Sequence, residues 1–353
     1  GRVPEVGRAA GGSGVSAPRL GFVGLGWIGR MRLDALAEAG AAEIAAVCES
    51  VPERLAQAGD AHPKAVRFTE YEGLLERAEE MGLDGLVIAT PNALHAPQTL
   101  AALERGLAVF CQKPLALDAR EARDMVETAR KADRLLGVDY SYRFTEGARE
   151  LKRLVEAGEL GRIFSLELVF HNAYGPDKPW CFDPRLAGGG ALMDLGVHLI
   201  DLAFWLLDDP AIRRVRGGAF RHGERLSLGR VTPSGQTTVD DFASAWLDLD
   251  DGRTVASLAV SWNAHAGRDC AIRATLFGTE GGAEFRNVDG SFYDFELERF
   301  RGRSGEVVTR ESKDWLGKAI LDWAHRLAKS NQFDPEIERS VRVSEVVDGI
   351  YGR

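Results

Sequence analysis

The chain has 353 residues, of which 45% are hydrophobic and 27% charged, and its formal net charge is −9. Its length exceeds the roughly 250–300 residues at which a single core stops growing, which predicts two domains. An acidic balance without a long basic run argues against nucleic acid as a partner. Because His198 and Asp201 interrupt the most apolar run, 195–207, we also expect no membrane partner.

The spacing of the cysteines and the composition of the N-terminal segment indicate the cellular compartment. The cysteines, four in all, are far apart and form no Cys-x-x-Cys motif, so neither a metal site nor a disulfide framework is expected. We therefore predict a reduced, cytoplasmic protein. Residues 1–18 are rich in glycine and other small residues, and we predict a flexible tail there.

From Arg19 onward the sequence alternates short apolar strands with amphipathic helices. This pattern predicts a doubly wound parallel sheet, a Rossmann domain over 19–142. The expected strands are 20–24, 43–49, 66–69, 83–89, 108–112 and 135–140, and the expected helices are 30–39, 52–58, 71–81, 93–105 and 119–131.

After Arg143 the rhythm changes to strands in succession. We predict a second α+β domain over 143–336 with a large, open, mostly antiparallel sheet, followed by a C-terminal helix over 337–353. The expected strands are 163–174, 215–221, 242–249, 254–262, 270–278 and 282–286, and a further helix is expected over 315–330.

An apolar segment, 188–207, carries Asp194, His198 and Asp201 at helical spacing. We predict one helix with the three polar groups on one face. Burying ionisable groups is costly unless they are paired or used. The segment alone fits two interpretations, a structural hydrogen-bonded pair or an acid/base unit.

A glycine-rich turn follows the first strand and supplies a candidate cofactor site, Gly24-Leu25-Gly26-Trp27-Ile28-Gly29. Strand before, helix after and an acid at the end of the second strand are the context of a dinucleotide-binding fingerprint. Glu49 lies twenty residues after Gly29, and its carboxylate would repel a 2′-phosphate. We therefore predict NAD, with NADP less favoured, although Arg54 lies close enough in sequence to soften that preference.

Ligands of doubly wound sheets lie at the carboxyl ends of the strands. Two segments fall there, Thr90-Pro91-Asn92 with His95, and Gln112-Lys113-Pro114. Oxidation of a secondary alcohol needs a base for the hydroxyl proton and a cation beside the oxygen. His198 suits the first role and Lys113 the second, and Asp194 can bind a substrate hydroxyl or orient the imidazole.

Taken together, these motifs resemble the glucose–fructose oxidoreductase/inositol dehydrogenase (Gfo/Idh/MocA) family. The motifs that carry the resemblance are the Gly24–Gly29 fingerprint, Ala89-Thr90-Pro91-Asn92 with His95, Gln112-Lys113-Pro114, Tyr142-Arg143-Phe144, and Gly188-Gly189-Gly190 leading to Asp194 and His198. The resemblance implies NAD(P)-dependent chemistry on sugars and cyclitols, Lys113, Asp194 and His198 as the catalytic set, and often a cis Lys113–Pro114 bond. Members usually have Glu where this chain has Gln112, so Lys113 loses a neighbouring carboxylate unless another acid compensates.

Candidate substrate contacts lie between the strand that starts at 163 and the catalytic segment. Asn172, Tyr174 and Trp180 are the first choices, with Arg143, which could equally bridge the domains. We expect Asp201 to brace the helix.

The preferred function is an NAD-dependent oxidoreductase acting on a sugar, cyclitol or sugar derivative. The alternatives are a non-catalytic NAD-binding sensor and a glycosidase that uses NAD transiently. Because few helices are available to cover the second sheet, we expect a homodimer or homotetramer formed through it.

Overall fold

A computed structural model describes residues 16–226, 238–312 and 315–353. Residues 1–15 of the tail predicted over 1–18 therefore lie outside the described residues. Two sheets organise the described chain.

The first sheet is parallel throughout and has the strand order β3-β2-β1-β4-β5-β6. The doubly wound prediction is confirmed. Because the order reverses between β1 and β4, the crevice for a ligand opens at their carboxyl ends. The strands are β1 (Arg19–Val23), β2 (Glu43–Cys48), β3 (Val66–Phe68), β4 (Gly85–Ile88), β5 (Ala108–Cys111) and β6 (Leu136–Val138).

Helices cover both faces of this sheet, as its nearly continuous apolar strands require. The connecting helices are α1 (Trp27–Ala39), α2 (Pro52–Ala61), α3 (Tyr71–Glu76), α4 (His95–Glu104) and α5 (Ala119–Ala132). A helix from much later in the chain, α9 (Lys318–Lys329), also packs here through Ile320 and Trp323 against Phe22 and Phe110. This helix lies within residues 143–336, and its apolar face packs against the first sheet.

The second sheet has the order β15-β14-β13-β12-β7-β11-β10-β8-β9 and is antiparallel except for the pair β7 and β11. The mostly antiparallel prediction is confirmed. Its strands are β7 (Ile163–Asn172), β8 (Ile212–Arg221), β9 (Glu224–Arg225), β10 (Phe242–Leu249), β11 (Thr254–Ser261), β12 (Cys270–Gly278), β13 (Gly282–Asn287), β14 (Asp294–Arg301) and β15 (Ser304–Ser312).

One face of the second sheet forms a core with helices α6 (Glu146–Glu156), α8 (Val197–Leu206) and α10 (Glu338–Tyr351). Leu166 and Leu168 of β7 belong to the same buried cluster as Ile200 and Phe204 of α8. The opposite face leaves Trp246 45% and Phe277 38% exposed. We call this opposite face, centred on β7, β10, β11 and β12, the open face.

Elements absent from the sequence-based prediction include α6, β9, β14 and β15. Charged residues are frequent in α6, β9 and β14, which masks their periodicity. In β14 the charges are paired across strands, since Glu296 contacts Arg286 at 2.6 Å and Arg310 at 3.0 Å.

The catalytic segment also differs from the single helix predicted over 188–207. A short helix, α7 (Pro184–Ala187), is followed by three glycines, a π-helical turn over Leu192–Gly196, and then α8. A π turn inserts an extra residue per turn and rotates the residues that follow. Asp194 lies within the π turn, whereas His198 and Asp201 follow it on α8.

The stretch Pro184–Leu206 is long and apolar enough to cross a membrane by length and composition alone. Within the fold, 83% of its apolar window is buried. This is the environment of a core helix packed against a sheet.

Candidate active site

A cleft of about 1000 Å³ runs along the carboxyl ends of the first sheet to the catalytic segment and β7. Its two ends have different linings. Glycine-loop and β2–β3 residues line one end, and Lys113, Asp194, His198 and aromatic side chains line the other.

The glycine loop has the shape that a dinucleotide requires. Gly24 has φ +87°, and a Cβ there would lie 2.6 Å from the Ala89 oxygen. A Cβ on Gly29 would lie 2.1 Å from the Gly24 oxygen, so Gly29 serves close packing of α1 and does not line the cleft. Gly26 faces open space and is the N-cap of α1 without a side-chain cap. The first N–H groups of α1, at Trp27 and Ile28, are thus left for a phosphate, and the residues fit NAD.

Glu49 lies at the end of β2, at the loop end of the cleft, and is 7% exposed. Its Oε2 accepts a hydrogen bond from the Leu25 N–H at 2.7 Å, and its Oε1 accepts one from Val51 at 3.0 Å. The carboxylate therefore fixes the glycine loop as well as facing the ligand. Arg54 also lines this end.

The segment after β4 uses its polar side chains mainly to brace the protein. Asn92 donates to the Ala187 oxygen at 2.9 Å, which links the first sheet to α7. His95 is fully buried, with Nδ1 2.8 Å from the Pro114 oxygen and Nε2 2.9 Å from the Thr90 oxygen. Burial lowers the pKa of His95. We infer that His95 holds the two strand ends together where, with Thr90, Pro91 and Asn92, it borders the cleft.

Lys113 and Asp194 meet across the cleft. The Lys113 Nζ donates to Asp194 Oδ1 at 2.6 Å and to the Asp194 main-chain oxygen at 2.8 Å. The other carboxylate oxygen, Oδ2, accepts from Trp262 Nε1 at 3.1 Å. Lys113 precedes a cis peptide bond to Pro114, as the resemblance implied.

His198 lines the same end of the cleft, against the rings of Tyr140 and Tyr142. Burial, Lys113 and Arg32 together hold its pKa well below the usual range, so the imidazole is neutral at physiological pH. Its Nδ1 is buried without a hydrogen-bond partner among the described residues. Asp194 thus pairs with Lys113, and no described hydrogen bond joins it to His198.

The remaining predicted contacts divide into two groups. Asn172 and Trp180 line the cleft, whereas Arg143 and Tyr174 are not among its lining residues. Arg143 forms ion pairs with Asp201 and, at 2.8 Å, with Glu336, which makes it a bridge between elements distant in sequence. Tyr174 is 52% exposed and packs on Phe292.

Sequence reasoning missed two buried charged residues of the cleft, Arg32 and Asp139. Arg32 occupies the apolar stripe of α1 with Gly29, Leu33 and Leu36, and such an interruption is a readable signal. Asp139 directly follows β6, again at a carboxyl strand end. Within the described residues, no group of three or more His, Cys, Asp or Glu side chains is placed to hold a metal ion.

A parallel sheet with a glycine loop at its switch point, joined to a lysine and a neutral imidazole in one cleft, defines a dinucleotide-dependent oxidoreductase. Two family models match the chain. Residues 18–140 match the oxidoreductase family with an NAD-binding Rossmann fold, and residues 148–284 match the GFO/IDH/MocA C-terminal domain. The chain belongs to the Gfo/Idh/MocA family of oxidoreductases.

Known proteins agree with this assignment. The chain is 30% identical to D-glucoside 3-dehydrogenase of Escherichia coli K12 over 76% of its length and 74% of the relative's. It is 31% identical to the rhizopine catabolism protein MocA of Rhizobium meliloti, over 76% and 78% of the two chains. The aldose–aldose oxidoreductase of Caulobacter crescentus shares the fold, with TM-score 0.81 and 22% identity over 96% and 97% of the chains.

Proposed function

We propose that the protein transfers a hydride between NAD and a secondary alcohol or ketone carbon of a sugar, cyclitol or sugar derivative. One observation carries the proposal: Lys113, Asp194 and His198 converge in the cleft that also contains the glycine loop. NAD supplies the hydride acceptor or donor when bound. Relatives named D-glucoside 3-dehydrogenase and levoglucosan dehydrogenase support a carbohydrate substrate.

The three polar side chains would divide the work. His198, neutral because of its burial and cationic neighbours, takes the hydroxyl proton during oxidation and returns it during reduction. The Lys113 ammonium donates a hydrogen bond to the same oxygen and stabilises its alkoxide character. Asp194 orients Lys113 through the contact at 2.6 Å and offers an acceptor to a substrate hydroxyl.

Substrate recognition is assigned to the wall formed by β7 and the segment after it. Asn172 Oδ1 is buried without a partner among the described residues and can accept a hydroxyl hydrogen bond. Trp180 offers an apolar surface to a sugar ring. In this scheme residues 19–142 hold the cofactor, with Glu49 favouring NAD over NADP, and the second sheet and its helices supply the substrate wall.

The open face supports a homodimer or homotetramer. Trp246 lies in one cross-strand row with Ser257, Glu167 and Thr275, and Phe277 lies in the neighbouring row with Ser165 and Val255. Large exposed apolar side chains on one broad face are typical of an interface. Light scattering should show an oligomer, and Trp246→Glu should shift it to monomer. An unchanged mass for the variant would contradict this placement.

We also propose a cytoplasmic location and a small-molecule partner, without nucleic acid or membrane. The four cysteines are free, and three of them are buried. Such thiols suit a reducing compartment.

NADH absorbance measured across glycosides, free sugars and cyclitols tests the activity, with wild type compared to His198→Ala. We expect turnover by wild type and a loss of about 10²–10⁴-fold in the variant, with NAD binding retained. Tight NAD binding without turnover would indicate a sensor. Product formed without net NADH would indicate a glycosidase. Equal loss of NAD binding and turnover in the variant would overturn the role of His198.

A further inference from the structure

Three buried polar side chains from separate elements meet beneath the catalytic end of the cleft. Arg32 of α1, Asp139 after β6 and Gln112 after β5 are 2%, 1% and 6% exposed. The Asp139 Oδ2 accepts from Arg32 Nε at 2.5 Å and also from Gln112 Nε2. We call these three residues the buried cluster.

The buried cluster lies directly behind Lys113. Gln112 immediately precedes the lysine, and its main-chain N–H donates to the Ile88 oxygen at 2.9 Å. The Asp139 N–H donates to the Cys111 oxygen at 3.0 Å. The ends of β4, β5 and β6 are thereby joined, so any movement of Asp139 is transmitted to the residue that carries the ammonium.

Arg32 connects the buried cluster to the cofactor side. It lies on the helix whose N-terminus is left for the phosphates, and its charge is one of the causes that keep His198 neutral. The charged groups that face His198 are Lys113 and Arg32, and the rings of Tyr140 and Tyr142 pack against it.

Burying the charged and polar groups of this cluster costs desolvation free energy, so a contribution to stability does not explain the buried cluster. Asp139 Oδ1 is buried with no partner among the described residues, and an orphaned carboxylate oxygen loses its hydration without compensation. A buried ion pair gains little over apolar packing. Such groups concentrate at functional sites.

Resting on the proposed function, we infer that Asp139 is a positioning residue for Lys113. Held by Arg32, it fixes the Gln112 amide and supplies a negative charge at the strand end behind the catalytic lysine. Positions 112 and 139 together need one carboxylate and one amide. Either position can carry either group.

Transposing the two groups tests this requirement. Asp139→Asn removes the charge with little change of shape, and Gln112→Glu places two carboxylates in contact. Each single variant should lower kcat by roughly 10- to 100-fold through a displaced Lys113. The double variant Gln112→Glu/Asp139→Asn restores one carboxylate and one amide, and should recover most of kcat. Asp34→Asn is the control, because Asp34 pairs with Arg30 on the surface of α1, the helix that carries Arg32.

Two measurements distinguish a positioning role of Asp139 from a purely structural role, and the second of them does not depend on the proposed function. The pH profile of kcat should shift in opposite directions in the two single variants and return in the double variant. Acetylation of Lys113 relative to exposed Lys131, measured by mass spectrometry, needs no turnover. It should differ from wild type in each single variant and return to the wild-type level in the double variant.

Single variants that lower only the melting temperature, with kcat, its pH profile and Lys113 acetylation unchanged, would overturn the inference. A double variant no better than either single variant would do the same. If wild type turns over no substrate, the proposed function fails, and the acetylation pattern alone then decides whether Asp139 positions Lys113.

Discussion

The Lys113 Nζ lies 2.6 Å from Oδ1 of Asp194 and 2.8 Å from its main-chain oxygen. One side chain follows a strand of the first sheet, and the other belongs to the π turn before α8. Their contact joins the half of the chain that carries the glycine loop to the half that carries His198. Because the lysine is 20% exposed and the aspartate 37%, the pair faces the cleft and is accessible to substrate.

Replacing Lys113 by Met should abolish most turnover while NAD binding remains. The methionine keeps the stem but removes the ammonium, and loss of one donor to a developing oxyanion costs about 10²–10³ in kcat. Turnover is followed by NADH absorbance and cofactor binding by calorimetry. Lys131→Met is the control, since this side chain is 78% exposed. A variant with normal kcat and raised KM would show that Lys113 only binds substrate.

Trp262→Phe should lower kcat by about tenfold, which corresponds to the loss of one hydrogen bond to a charged group. The indole Nε1 donates to Asp194 Oδ2 at 3.1 Å, and the phenyl ring retains the packing on Phe182. The measurement is kcat at saturating NAD together with the NAD dissociation constant, which should not change.

Trp246→Phe on the open face controls for the loss of an indole. Unchanged kcat in Trp262→Phe, together with a loss of activity in Asp194→Asn, would mean that Lys113 alone orients the carboxylate.

Much of the first sheet could be predicted because its signals are local. Glycine and proline mark the turns, apolar runs mark buried strands, and the carboxyl ends of parallel strands meet at one edge. This geometry located Glu49, Thr90 and Lys113 in the cleft without any tertiary information.

Long-range pairing could not be predicted in the same way. The sequence leaves Arg143 open as a substrate contact or as a bridge, and only the fold shows its ion pairs with Asp201 and Glu336. The π turn that contains Asp194 has no marker in the sequence. The sequence left open whether another acid compensates for Gln112, and only the fold brings Asp139 to it.

Glu49→Gln should narrow the preference for NAD over NADP. The amide removes the charge that repels a 2′-phosphate but keeps an acceptor for the Leu25 N–H, which the carboxylate binds at 2.7 Å. Arg54 then faces the phosphate without a competing anion. The ratio of kcat/KM for the two cofactors should change by about tenfold, the effect of roughly 1.4 kcal/mol. Glu53→Gln on α2 is the control, and an unchanged ratio would count against Glu49 as the discriminating residue.

Stability should fall as the pH drops below about 6.5, the value of an unperturbed histidine. Burial lowers the pKa values of His95 and His171, and burial together with Lys113 and Arg32 lowers that of His198. Between the native and unfolded pKa values the unfolded chain binds more protons, so the free energy of unfolding rises with pH. Each such histidine contributes a slope of up to about 1.4 kcal/mol per pH unit in that window.

This slope is measured by urea unfolding of the NAD-free protein between about pH 5 and 8, the range in which histidine changes its charge. The His198→Asn variant should unfold with a shallower dependence on pH, because one of the neutral imidazoles is gone. His325→Asn, at an exposed position of α9, is the matched control for the loss of one histidine. If the free energy of unfolding depends on pH in the same way in His198→Asn and in wild type, His198 is not held neutral by the fold. Its assignment as the base then loses its electrostatic support.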